Sequence, residues 1–395
     1  MSEMTRDFET TENANTTRKS GSSGIRAVAS GILMVFCLAM AVVFLSNVFM
    51  SGGSSAPVSS ASVADVTIMD RFDMFVTNEI SKALDGVVTI EKVYWLSDTD
   101  LVAPKPDEDN FGTATSPEEL QWLLDKASHL LDGQDTLFSM DTQVWSGDKI
   151  YYYYDETILV ITWKELTDGS IHTISEVKIA DPSQFRRFLA GGEFGSDKQY
   201  TTTEMADSVN AVVASSGDFY KFRKNGIMVY GGEIMRMEGK WVDTCMIDDN
   251  GDLQFVYRRQ ITDLAEAQQF VEDKNIRFSL AFGPVLVDNG EAMSFPGYPL
   301  GEVADVYSRS ALCQRDELHY LFVTMNCEAG HINRQTLKEF ANTLVERGAQ
   351  KAYALDGGQT AVIAMQGQTI NHVDYGYQRA ISDIIYFATA LPNGD

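Results

Sequence analysis

A carboxylate followed by two glycines, Asp356-Gly357-Gly358, is the stretch whose residue types most directly suggest chemistry. The apolar run 352–355 before it predicts a buried strand, and Gln359 and Thr360 follow it. Glycine pairs let a backbone turn sharply and approach a ligand closely, because no Cβ stands in the way. An acid at the tip of a buried strand is a common layout for a chemical site, but Asp-Gly also marks many ordinary turns. The stretch therefore indicates either a ligand-binding loop or a plain turn.

An earlier stretch has a similar setting. A helix predicted from Thr203 leads into the apolar run 211–214, and Ser216-Gly217-Asp218 follows that run. Around Asp356, a strand over 320–325 and an amphipathic helix over 337–345 precede the strand that leads to this acid. We expect this strand-helix-strand unit to be parallel and right-handed. The two acid loops would then meet at one edge of a sheet, where ligand sites commonly form.

Charge and composition exclude some classes of protein. The formal net charge is -25, from 31 basic and 56 acidic residues, which argues against nucleic-acid binding because that requires a basic face. Phosphate recognition would have to be local, through a few placed arginines. The chain is 44% hydrophobic and can bury a large core.

The cysteines and acidic clusters give little sign of a metal site. The four cysteines form no CxxC pair, which makes a thiolate zinc site improbable. Cys313 and Cys327 could form a disulfide outside the cell, or both could be free thiols. The acidic clusters 107–109 and 248–252 could bind calcium weakly, although the second is better explained as a hairpin turn between strands at 242–247 and 253–257. We expect no metal at the site and no cofactor.

The N-terminal region predicts a membrane anchor. Residues 1–24 are polar and lack an apolar period, which indicates a disordered cytoplasmic tail. Residues 25–50 contain an uncharged apolar run long enough to cross a bilayer as a helix. Arg18, Lys19 and Arg26 lie before this run, so the positive-inside rule predicts a single-pass protein of the cell membrane with a cytoplasmic N-terminus and an extracytoplasmic C-terminal domain. A cleaved signal peptide is the alternative, but its apolar region would usually be shorter.

The remaining chain divides into three predicted parts. Residues 51–65 predict a flexible linker, and residues 66–148 predict a helical accessory region. Residues 149–395 predict an α+β domain, a mixed sheet with flanking helices.

The landmarks of this last part form a recognisable set. Their order and spacing are more specific than any one of them, and they read as follows: Asn210-Ala211-Val212-Val213-Ala214-Ser215-Ser216-Gly217-Asp218-Phe219-Tyr220, Asn225-Gly226, Gly231-Gly232, Phe282-Gly283-Pro284-Val285-Leu286-Val287 with Gly290, Ser308-Arg309-Ser310-Ala311, Leu355-Asp356-Gly357-Gly358, and Arg379-Ala380-Ile381-Ser382-Asp383. From about residue 149 to its end, the chain resembles the phosphodiester glycosidase family, which contains the lysosomal uncovering enzyme and many bacterial cell-surface relatives.

The resemblance implies hydrolysis of a sugar-1-phosphodiester at the C1–O bond. It makes Asp356 and Asp218 the candidate catalytic carboxylates, since such hydrolysis normally uses two. Arg309 and Arg379 are the candidate phosphate clamps because a guanidinium binds phosphate through two parallel hydrogen bonds. The candidate substrate-binding residues are Ser216, Gly217, Gly357, Gly358, Thr360 and Tyr220. Tyr375 and Tyr377 could stack on a sugar ring, although most tyrosines are core or surface residues.

Two positions depart from the family pattern. Ser216 stands where the family usually has asparagine, and Gln359 stands where it usually has a third glycine. The expected function is a membrane-anchored glycosidase whose partners are a phosphate-linked glycan of the cell envelope or exopolysaccharide and, through one transmembrane helix, the lipid bilayer. The alternative is a non-catalytic module that binds glycan or assists polysaccharide assembly on the same fold.

Overall fold

The structure is a computed structural model that describes residues 95–97, 100–218, 220–299, 306–328 and 335–391. The predicted tail (1–24), transmembrane segment (25–50) and linker (51–65) lie outside the described residues, as does the start of the accessory region. Within the described part of the chain, no helix is both long and apolar enough to cross a membrane.

The described chain is dominated by short strands. In chain order they are β1 Phe111–Ala114, β2 Ile150–Asp155, β3 Ile158–Thr167, β4 Ser170–Ile179, β5 Phe185–Leu189, β6 Val213–Ser216, β7 Met228–Tyr230, β8 Glu233–Arg236, β9 Thr244–Asp248, β10 Leu253–Val256, β11 Ile276–Leu280, β12 Val285–Asp288, β13 Glu291–Ala292, β14 Arg309–Asp316, β15 His319–Asn326, β16 Lys351–Leu355, β17 Ile363–Met365, β18 Gln368–Thr369 and β19 Asp383–Phe387. The α-helices are α1 Gln121–Lys126, α2 Ser128–Leu131, α3 Thr202–Ser208, α4 Leu264–Asp273 and α5 Leu337–Glu346.

These strands form three sheets. The large sheet has nine strands in the order β1-β2-β3-β4-β15-β14-β16-β12-β13. The two small sheets have five strands each, in the orders β10-β9-β11-β7-β8 and β18-β17-β6-β19-β5. These sheets and the few helices confirm the α+β part of the predicted fold class, although every described strand pair is antiparallel.

The large sheet lies between two apolar layers, and the alternation of β3 shows why. Ile161 and Trp163 pack on one face against α1, α2 and α5. Ile158 and Val160 pack on the other face against strands of both small sheets. Successive side chains of a strand point to opposite faces, so a strand that is apolar at every position is buried on both sides.

The described part of the predicted accessory region packs into the same unit as the chain that follows it. β1 pairs with β2 in antiparallel register, and Leu120, Leu123 and Leu130 are buried in the core of the large sheet. Grouping by Cα packing places residues 91–395 in one compact unit. The helices predicted here are therefore short and contribute directly to the main core.

The predicted strand-helix-strand unit is present as β15, α5 and β16. Both strands pair antiparallel with β14, which lies between them, so they run parallel to each other without being neighbours. Helix α5 begins with a capping box in which the Thr336 side chain and the Glu339 side chain bond each other's backbone N–H groups. This confirms the predicted parallel direction of the two strands, while the right-handed connection stays a prediction.

The expectation that both acid loops leave one sheet edge is wrong. β6, which precedes Asp218, belongs to a small sheet, where it pairs with β17 and β19. β16, which precedes Asp356, belongs to the large sheet. The same local pattern of helix, apolar strand and acid loop is therefore used in two different layers.

Candidate functional site

A cavity of about 330 Å³ lies where β16 ends and β14 begins. Ser310 pairs with Leu355 in the antiparallel ladder, which brings Arg309 beside Asp356. The lining residues are Arg223, Phe282, Gly283, Pro284, Tyr307, Ser308, Arg309, Ser310, Leu337, Ala354, Leu355, Asp356, Gly357, Gly358 and Arg379. The structure thus brings together Asp356, both predicted arginines and two of the predicted glycines.

Glycine at position 357 permits the close approach of the acid loop to β14. A Cβ on Gly357 would lie 2.4 Å from the Ser308 carbonyl oxygen, a distance that real Cβ atoms do not reach. The Gly358 N–H donates to that same carbonyl at 3.1 Å. The buried Thr360 hydroxyl donates to the Gly357 carbonyl at 2.8 Å. Thr360 therefore stabilises the loop rather than lining the cavity.

Asp356 is a mostly buried carboxyl group that still reaches the cavity. Its side chain is 13% exposed, and Arg379 Nη2 donates to its Oδ2 at 2.6 Å. Burial raises the pKa of Asp356 above its ordinary value, while Arg379, the Thr360 side chain and Arg223 oppose that rise. A carboxyl group with a raised pKa in a cavity is a candidate for proton transfer.

Three guanidinium groups surround this carboxyl group. Arg309 is buried and its guanidinium carbon lies 5.6 Å from the Tyr307 ring centroid. The Arg379 side chain is 44% exposed at the mouth of the cavity. Both predicted arginines thus line the cavity, and their role as phosphate clamps stays a prediction.

Arg223 is the third guanidinium, and the sequence analysis missed it. Its Nη1 donates to the Phe282 carbonyl at 3.4 Å, and its guanidinium carbon lies 4.6 Å from the Phe282 ring centroid. The signal in the sequence is a basic run, Lys221-Phe222-Arg223-Lys224, just after the first acid loop of a strongly acidic chain.

Asp218, the second predicted catalytic carboxylate, is not among the described residues that line the cavity. Its side chain is fully buried, and Arg187 Nη2 lies 3.2 Å from its Oδ2 and 2.7 Å from Asp383 Oδ2. Asp218 Oδ2 also accepts from the Ala281 N–H at 2.7 Å. We refer to Arg187, Asp218 and Asp383 as the buried triad. The structure thus places Asp218 in the buried triad and not in the cavity lining, and its catalytic role stays a prediction.

The other residues predicted around Asp218 also serve the buried triad. A Cβ on Gly217 would lie 2.0 Å from Asp383 Oδ2, so glycine makes room for that carboxyl group. The Tyr220 ring lies 5.6 Å from the Arg187 guanidinium carbon and stacks on Phe194. Ser216 is buried within β6. Within the described chain, Ser216, Gly217 and Tyr220 do not line the cavity, and their contact with substrate stays a prediction.

Two carboxyl groups share one guanidinium in the buried triad. Burial, the dominant cause, together with the neighbouring Asp218, raises the pKa of Asp383 to about 7, and Arg187 opposes that rise. Asp383 Oδ1 is buried without a hydrogen-bond partner. Both observations favour a protonated Asp383 below neutral pH.

The acidic cluster 248–252 forms the predicted hairpin turn between β9 and β10. Asp248 Oδ1 accepts from the N–H groups of Asn250 and Asp252, and its Oδ2 accepts from Gln254. Across the described ranges, no group of three or more histidine, cysteine, aspartate or glutamate residues is placed to hold a metal ion. Cys245, Cys313 and Cys327 are free thiols, so the disulfide alternative is wrong in this structure.

Comparison with known proteins identifies related sequences and folds. The family model described as phosphodiester glycosidase matches residues 209–388. An uncharacterized protein, YomE, derived from the SPbeta prophage of Bacillus subtilis (strain 168), is 22% identical over 200 residues, which cover 49% of this chain and 30% of that protein. The chain thus spans less than a third of the length of this curated relative.

Three solved structures are similar to the chain. The catalytic domain of zebrafish N-acetylglucosamine-1-phosphodiester alpha-N-acetylglucosaminidase, auto-inhibited by its pro-peptide, matches at 16% identity over 66% of this chain and 92% of that chain, with a TM-score of 0.48. A hypothetical protein from Synechocystis matches at 15% identity over 63% of this chain and 64% of that one, with a TM-score of 0.43. A putative exported protein from Burkholderia pseudomallei K96243 matches at 12% identity over 56% and 74%, with a TM-score of 0.40.

Proposed function

Residues 209–388 form a domain of the phosphodiester glycosidase family, and from this premise we propose that the protein hydrolyses sugar-1-phosphodiesters at the C1–O bond. The observation that carries the proposal is the cavity in which Asp356, with its raised pKa, lies among Arg223, Arg309 and Arg379. A carboxyl group and several guanidinium groups are what departure of a phosphate from a sugar carbon requires.

The charges of the lining side chains suggest the role of each in the reaction. The guanidinium groups of Arg309 and Arg379 bind the phosphodiester oxygens and neutralise the charge that develops as the C1–O bond breaks. Phosphate leaves readily, so strong protonation of the leaving oxygen is unnecessary. Asp356, in its ionised form, accepts a proton from the water whose oxygen bonds to C1. The products are the free sugar and a phosphomonoester, and the accepted proton passes to solvent or to that product.

The test uses the purified extracytoplasmic part, residues 91–395, which pack as one compact unit. Release of free sugar from the methyl diester of a sugar 1-phosphate by the wild type, and its loss in Asp356→Asn, would support the proposal. Cleavage on the other side of phosphorus, which yields the sugar 1-phosphate, would contradict it.

One observation favours a second candidate, a glycan-binding module without turnover. Asp356 is the one carboxylate among the described residues that line the cavity, whereas glycoside hydrolysis usually uses two. A binding module would retain a phosphodiester sugar with micromolar affinity and release no product in a prolonged incubation. Calorimetry and product analysis on the same sample separate the two functions.

The cellular setting is part of the proposal. A single anchor at 25–50 would hold the domain outside the membrane, where it would act on a phosphate-linked glycan of the cell envelope or exopolysaccharide. Resistance of the full chain to alkaline extraction of membranes, together with accessibility of its C-terminal domain to external protease, tests this arrangement. Release by alkaline extraction would contradict it.

A further inference from the structure

Three tyrosines are exposed around one side of the cavity. Tyr307 lines the cavity and is 48% exposed, while Tyr375 and Tyr377 are 87% and 64% exposed. Most aromatic side chains in the described chain are buried or partly buried. We call Tyr307, Tyr375 and Tyr377 the tyrosine rim.

Two of these rings lie on an arch that is tied to the cavity at both ends. At one end, the hydroxyl of Ser308, a lining residue, donates to Asp374 Oδ1 at 2.8 Å. At the other end, Arg379 donates to Asp356 from its side chain, and its backbone N–H donates to the Gln359 carbonyl at 3.3 Å. Tyr375 and Tyr377 lie between these anchors, so the arch holds both residues near the cavity.

The backbone at Tyr375 is in a costly conformation. Its φ is 62° and its ψ is 6°, within the left-handed region that a bulky residue seldom adopts. This conformation costs about 1–2 kcal/mol, and the ring that it presents is the most exposed of the large hydrophobic side chains described here. An outlier that presents a large ring to solvent at the mouth of a cavity indicates a binding role.

The residues around the tyrosine rim suggest which ligand contacts it. The rim is continuous with a cavity whose arginines bind an anion, so whatever contacts the rim is covalently attached to the phosphodiester or its sugar. A tyrosine offers a flat apolar face with a polar tip, which matches a pyranose ring that has an apolar C–H face and peripheral hydroxyl groups.

We propose that the tyrosine rim binds a saccharide unit beyond the one that carries the scissile bond, so that the substrate is an oligosaccharide or polysaccharide. This proposal rests on the proposed function of the same site. It specifies a substrate that is longer than a single sugar phosphate, and it assigns the recognition of that extra length to Tyr375 and Tyr377.

The experiment compares short and long substrates. The short probe is the methyl diester of α-N-acetylglucosamine 1-phosphate, and the long probes carry three further hexose units on either the alcohol side or the sugar side. We expect wild-type kcat/KM to be at least tenfold higher for one long probe than for the short one. Tyr375→Ala and Tyr377→Ala should remove most of that advantage and lower kcat/KM for the short probe much less, whereas Tyr375→Phe should retain the advantage.

Trp122→Ala is the matched control. Trp122 is exposed on α1 and contacts Tyr152 of β2, and β2 is four strands from β14 in the large sheet. At about 4.8 Å per strand this is roughly 19 Å from the cavity wall. The control should leave the length dependence intact.

The outcomes separate this proposal from the function on which it rests. The proposed role of the tyrosine rim would be wrong if kcat/KM were equal for short and long probes, or if both alanine variants kept the higher kcat/KM for a long probe. Either result would leave the proposed hydrolysis standing. If no probe is hydrolysed, the proposed function is wrong. Calorimetry with the long probes then tests whether the tyrosine rim binds saccharide. An affinity for the long probes that is at least tenfold weaker in Tyr375→Ala supports the binding role of the tyrosine rim. An unchanged affinity, or no binding by the wild type, contradicts that role.

Discussion

The loop after β16 and the loop after β6 have similar sequences, but they place their carboxyl groups in different environments. Asp356 faces a cavity and pairs with Arg379, whose side chain is largely in water. Asp218 has a fully buried side chain and shares Arg187 with Asp383. An acid at the tip of a strand is therefore available for chemistry only if its partner leaves one side open to a ligand. The predictions below test this contrast, beginning with the largest effect.

Asp356→Asn should reduce turnover by about 10²–10⁴-fold, because the amide cannot accept the proton from water. The fold should be retained, since asparagine has the same shape and removes a charge that burial disfavours. Sugar release and thermal unfolding on the same preparation provide the measurement. Asp125→Asn, on the exposed surface of α1, is the control for loss of one charge. Activity within a few-fold of the wild type would mean that Asp356 is not the proton acceptor.

Arg187→Met should mainly lower stability, in contrast to Asp356→Asn, which should mainly lower turnover. It leaves Asp218 and Asp383 buried without their shared cation, and breaking a buried ion pair typically costs about 3–5 kcal/mol. Urea denaturation measures the free energy of unfolding. Arg187→Lys should lose less because it retains the charge but not the fork of donors. A stable Arg187→Met protein without activity would instead indicate that the buried triad belongs to the catalytic machinery.

The buried triad should also make stability depend on pH. The folded protein holds the proton of Asp383 up to about pH 7, whereas an unfolded aspartate loses it near pH 3.9. The folded state thus binds more protons in this window, so the contribution of Asp383 to the free energy of unfolding falls as pH rises from about 4 to about 7. The loss is on the order of a few kcal/mol, at 1.36 kcal/mol per pKa unit.

Asp383→Asn isolates this contribution, because an amide does not titrate. We expect the wild type to lose stability relative to Asp383→Asn between pH 4.5 and pH 7.5. Chemical denaturation at a series of pH values measures the difference. A difference that stays constant with pH would show that Asp383 is ionised throughout this range.

Local patterns predicted much of this structure, whereas the partners of each loop could not be predicted. The apolar period identifies α5, and the short buried runs identify β15 and β16, because these signals depend on neighbours in sequence. The surroundings of Asp218 depend on pairing of β6 with β17 and β19, which lie far along the chain. Arg187 belongs to β5, a strand that gives no hint of a carboxylate partner. For the same reason, Arg223 escaped notice until the fold placed it beside Phe282.

Arg379→Gln removes one of the two proposed phosphate clamps and should lower kcat/KM, and the smallest effect that we expect from it is a shift in the pH profile. Arg379 lowers the pKa of Asp356 against the dominant effect of burial, so its removal should raise that pKa further. If Asp356 acts in its ionised form, activity is lost as pH falls through this pKa, and the acidic limb of kcat should move to higher pH. Because the Arg379 side chain is 44% exposed, water screens its charge, and we expect the shift to be small. A pH profile of Arg379→Lys, which retains the charge, should stay near that of the wild type. A shift of the limb to lower pH in Arg379→Gln would instead assign the limb to another group or make the protonated form of Asp356 the active one.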